Sequence, residues 1–116
     1  MMNNPPKKNL ALNIEQNSQS LNITSAIYLR ILKRAVQQTS EDIKQMEAAL
    51  PINDFEVIKA VSHKLKGDYD NLRLSDLSNI ARKMEEVAKN EQDNEKILEF
   101  LNEFIVYFEQ LKQVMI

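Results

Sequence analysis

His63 is the only histidine in the chain, and it stands in the run Lys59-Ala60-Val61-Ser62-His63-Lys64-Leu65-Lys66-Gly67. An imidazole ordinarily titrates at about pH 6.5, so near neutral pH one ring nitrogen is free to act as a nucleophile. On a helix, residues three and four apart are neighbours. Lys59 and Lys66 therefore bring positive charge to one side of the ring, while Ala60 and Gly67 leave its other side almost bare of side chain. A nucleophile between cations, open on one side, suits attack on an anionic group that another protein presents. Gly67 is the only glycine. Inside a helix it costs about 1 kcal/mol relative to Ala, so its presence points to a need for closeness or backbone freedom. Lys64 lies about 100° round the helix from His63, which makes it a docking residue or a merely solvated one. A surface histidine beside two lysines is also commonplace on a solvated face, and phase and neighbours alone leave that plainer reading open.

These groups need a helix to hold them. Ile58, Val61, Leu65, Tyr69 and Leu72 cluster on one side when each residue advances by about 100°, and His63 falls about 160° from the centre of that cluster, facing water or a partner. Its start is marked by Asn53 as a cap with Glu56 reaching back, and by Ile52 and Val57 at staple positions. An earlier helix runs from Thr24 to Pro51 on Tyr28, Ile31, Leu32, Ala35, Val36, Ile43, Met46, Ala49 and Leu50, with the polar stretch 37–42 loosening its middle. A third runs from Ser75 on Leu77, Ile80, Ala81, Met84 and Val87 and frays near Asn90. A fourth starts at Asn94, with Ile97, Phe100, Leu101, Phe104, Ile105, Phe108, Leu111 and Met115 on one face. Glu99, Glu103, Glu109 and Lys112 on it exclude a membrane span. Four such helices with short connections predict an all-α, antiparallel four-helix bundle over residues 23–116. Residues 1–22, with Pro5, Pro6 and a brief apolar stretch at Leu10, Leu12 and Ile14, read as an N-terminal arm, flexible or forming a short docking helix.

Composition narrows the chemistry. At 116 residues and 43% hydrophobic, the chain can fill one core without a metal or disulfide, and it has no cysteine. Fifteen Lys and Arg against 17 Asp and Glu give a net charge of −2, no basis for a nucleic-acid partner. No apolar run near Lys7 and Lys8 makes a signal peptide, so a cytoplasmic protein is expected. A single glycine cannot build a phosphate-cradling loop or a kinase-type nucleotide lid, which removes autokinase activity from this chain. One His and no Cys do not make the usual zinc ligand sets, and Ala60 stands where a di-iron Glu-x-x-His motif needs Glu. No metal ligand is therefore assigned. A Ser-His-Asp hydrolase would need a tight turn and oxyanion hole foreign to a glycine-poor helical chain.

Ser62-His63-Lys64-Leu65-Lys66-Gly67, with Leu72, Leu77 and Met84-Glu85 downstream, resembles the signature of histidine-containing phosphotransfer (HPt) domains, Ala-His-x-Leu-Lys-Gly-Ser followed by leucines and a Leu-Glu pair. The resemblance covers about residues 24–115. Ser62 replaces the usual Ala, Asp68 the usual Ser, and Arg73-Leu74 the usual Gly-Ala at the turn into the third helix. What the resemblance implies is a phosphorelay carrier without kinase activity. His63 would accept a phosphoryl group from a receiver-domain phosphoaspartate and pass it to another receiver. Lys66, and with it Lys59, would steady the phosphoryl oxygens, Gly67 would give access, and Ala60, Lys64 and Asp70 would line the contact. The partners implied are response-regulator receivers and a hybrid histidine kinase. The chain would bind no cofactor, the Mg²⁺ sitting on the receiver. Two other classes remain: an HPt-like bundle that docks on a regulator without transferring phosphate, and a plain helical adaptor.

Overall fold

In the computed structural model residues 9–115 are described, and the Asn-Asn-Pro-Pro-Lys-Lys part of the arm lies outside them. Five helices follow one another: α1 (Ile14–Ser20), α2 (Ser25–Ala49), α3 (Phe55–Asn71), α4 (Ser75–Asn90) and α5 (Asn94–Val114). Most begin at a side-chain cap that takes one of the amides a helix start leaves unpaired. Asn13 accepts from Gln16 N–H, Thr24 from Ile27 N–H, and Asp93 from the N–H groups of Glu95 and Lys96. At α3 the cap is Asp54, which accepts from Val57 N–H at 3.2 Å, and not Asn53. The reason is Pro51. It carries the end of α2 into a 3₁₀ turn, Leu50–Ile52, whose exit needs a left-handed residue, and Asn53 supplies it at φ 56°. Capping therefore passes one residue on. Ile52 is left 72% exposed, so the staple with Val57 does not form.

Helix connections elsewhere use the same device. Asn22 and Arg73, at φ 57° and 62°, close α1 and α3, and the next residue donates back five positions, Ile23 to Ser18 and Leu74 to Tyr69. Gln92, at φ 53°, closes α4. These turns bring successive helices side by side in antiparallel order. α3 and α4 share the widest contact, α2 and α5 flank them, and α1 lies along α2. Tyr28, Leu32, Met46, Ile58, Leu65, Tyr69, Leu77, Met84, Ile97, Phe104 and Phe108 fill the centre, with Tyr69 edge-on to Phe104 at 6.1 Å. Burying each such side chain contributes roughly 1.5–3 kcal/mol.

The stretch 37–42 does not loosen α2, which is continuous. Its polar side chains are instead the seam to α3. Thr39 Oγ1 donates to the Ala35 carbonyl at 2.8 Å and so accepts from the Tyr69 hydroxyl at 2.6 Å. Asp42, side chain 3% exposed, accepts from Lys64 Nζ at 2.9 Å. Residues 9–22 are also held. Leu10 N–H donates to Gln110, Ala11 N–H to Asp76, and Arg73 Nε to Ser20 Oγ, while Asn17 bonds the Tyr28 hydroxyl that itself donates to the Leu72 carbonyl. None of the helices among the described residues is long and apolar enough to cross a membrane.

Candidate phosphoryl-acceptor site

Ile58, Val61, Leu65 and Tyr69 fix the roll of α3 by entering the core, and the remaining face carries His63 outward with its side chain 68% exposed. Next to it on α4, the turn Ile80-Ala81-Met84 does the same for Glu85. Glu85 Oε2 lies 2.8 Å from His63 Nδ1, and Glu85 Oε1 lies 3.2 Å from Lys66 Nζ. One carboxylate thus joins the two residues. Partial burial alone would push the Glu85 carboxyl up, but the bonds from Lys66 and His63 outweigh it and hold the carboxyl below its ordinary range. A carboxylate only accepts hydrogen bonds, so Nδ1 must carry the proton. In the neutral ring this leaves the lone pair on Nε2.

Gly67 lies one turn along, and a Cβ built there would meet nothing within 4 Å. Its φ is not positive, so neither a strained backbone nor a close helix contact accounts for the glycine. Ala60 is exposed one turn before His63. The flank of the imidazole between these two is therefore open. Lys59 pairs its ammonium with Glu56, at 3.4 Å on the same helix. Lys64, read as a docking or solvated residue, spans two carboxylates, Asp42 across the seam and Asp68 at 3.0 Å. That contact also answers the Asp68 departure, since the added charge has a lysine on it and faces α2. Ser62 is fully buried and donates weakly to Met46 Sδ at 3.7 Å, so the hydroxyl in place of a methyl finds a partner. Asp70 is exposed on α3, and its carbonyl accepts from Arg73 Nη1.

Glu85 is the member of the site that sequence reasoning passed over as a functional group. Its signal was present in the Met84-Glu85 pair. What the sequence alone lacked was the α3–α4 register that sets residue 85 beside residue 63.

An exposed imidazole with one nitrogen held by a carboxylate, on a helical bundle with an open flank, is the arrangement of a phosphotransfer module of two-component signalling. The Hpt domain family model matches residues 30–114, and the chain belongs to that family. Among solved structures it is similar to the HPT domain from the Hpt sensor hybrid histidine kinase from Shewanella, with a TM-score of 0.73 and 25% identity over 90% of this chain and 92% of that one. No curated protein matches.

Proposed function

We propose that the protein is a phosphorelay carrier whose His63 Nε2 accepts a phosphoryl group from a receiver phosphoaspartate and hands it to another receiver. The observation that carries this reading is the bond from His63 Nδ1 to Glu85, which leaves the nucleophilic nitrogen at the exposed edge of the ring. In the transfer the Nε2 lone pair forms the N–P bond as the aspartyl O–P bond breaks, and the aspartate leaves as a carboxylate. Positioning and charge stabilisation carry most of such a reaction. Lys66 is the cation tied to the same carboxylate as the ring. Its side chain is 29% exposed, and its ammonium can turn from Glu85 toward phosphoryl oxygens. Mg²⁺ and the carboxylates that hold it come with the receiver. Gly67 and Ala60 keep the receiver's approach clear. Ile31, exposed on α2, borders a groove of about 520 Å³ between α2 and α3, with Leu21, Ile23 and Leu72 beside it, that gives the receiver an apolar footing.

Incubation with a phosphorylated receiver and Mg²⁺ tests this. Acid-labile, base-stable phosphate is expected on His63 and is lost in His63→Gln. Label on another residue removes the assignment. A receiver that binds but leaves no label reduces the protein to a docking module.

A further inference from the structure

We infer that Glu85 stays on Nδ1 of His63 after Nε2 is phosphorylated, and that this contact sets how long the phosphohistidine lasts. The inference rests on the relay reading. Nε2 is the ring atom remote from Nδ1, so a phosphoryl group added there does not displace the carboxylate. Glu85 is not free to drift away, because its side chain is only 20% exposed and α4 is packed against α3. A ring that carries phosphorus on Nε2 and a proton on Nδ1 is cationic, and a carboxylate 2.8 Å away favours that form by a charge-assisted bond.

The cationic form is the one that breaks down readily. When water attacks phosphorus, the N–P electron pair returns to Nε2, the water's protons leave with the phosphate as dihydrogen phosphate, and neutral imidazole departs with Nδ1–H intact. When an aspartate attacks, the same neutral imidazole departs and an acyl phosphate forms. Without the Nδ1 proton, the ring would have to leave as an imidazolate, a far poorer leaving group. Glu85 is a positioning residue, since it touches the imidazole and not the reacting phosphorus.

Phosphoramidate, a small phosphoryl donor, can load His63 without any receiver, and phosphorus NMR then follows the decay. Glu85→Gln keeps the shape and an oxygen to accept from Nδ1–H, but not the charge. Its phosphohistidine is expected to last about fivefold longer than that of the parent. Glu86→Gln, one residue on and paired with Arg82 instead, is expected to decay at the parent rate. Equal lifetimes for the parent and Glu85→Gln, or an equal lengthening in Glu86→Gln, overturn the inference. So does loading of the parent at Nδ1. Failure of receivers to exchange phosphate with His63 while the two lifetimes differ defeats the relay reading and leaves the role of Glu85 in place.

Discussion

A methyl group added at Gly67 would stand in open space, so the fold has no use for the missing side chain. Two effects then separate. Gly67→Ala should stabilise the protein by about 1 kcal/mol, because an interior helical Ala is favoured over Gly and no clash offsets the gain. Thermal unfolding should show a rise of a few degrees. Transfer to and from His63 should fall nonetheless, modestly for Ala and severely for Gly67→Leu, since a side chain one turn away intrudes where the attacking carboxylate must come in line. A folded Gly67→Leu protein that transfers at the parent rate would place the approach on the other side of the ring. Lys64 gives the opposite lesson about a single residue. Its ammonium joins a buried carboxylate on α2 to a half-buried one on α3, so the fold does use this side chain. Burial pushes its pKa down, but the bonds to Asp42 and Asp68 prevail and raise it.

Helix ends explain what was and was not legible before the structure. Asn22, Asn53, Arg73 and Gln92 all sit in the left-handed region that glycine occupies most freely. Gln92→Gly should therefore raise stability by about 1 kcal/mol, read as a higher denaturation midpoint. Arg73→Gly should gain less, because it also loses the bonds from Arg73 to Ser20 Oγ and the Asp70 carbonyl. Equal gains would mean that those two bonds contribute nothing. The helices themselves were legible from their apolar period, because Tyr28, Leu32, Ile58, Leu65, Leu77 and Phe104 repeat at the spacing their burial requires. The outward phase of His63 was legible for the same reason, being a property of one helix. The cap at Asp54, the seam through Thr39 and Asp42, and the place of Glu85 were not. Each depends on how one element meets the next: a 3₁₀ turn, a polar pair across α2 and α3, a register between α3 and α4.

At the scale of the whole molecule, every tyrosine lies inside the fold. Burial is the main cause raising the pKa of Tyr28, Tyr69 and Tyr107, strongly so for Tyr69, whose bond to Thr39 opposes the effect without cancelling it. A phenol that ionises later when folded than when unfolded contributes stability that is complete below about pH 10 and is lost as pH rises beyond it. The raised Lys64 adds to the loss with the same sign. Melting temperature should hold steady up to about pH 9 and fall steeply toward pH ~11. A flat profile there would mean that the phenols ionise in place. With three tyrosines and no tryptophan, the chain also carries its own dye. Ionised phenol absorbs at longer wavelengths than neutral phenol, and burial should hold that colour back until the bundle opens. In an alkaline titration the absorbance should climb in one step together with the loss of helix, so that a spectrophotometer alone records the cooperativity of the fold.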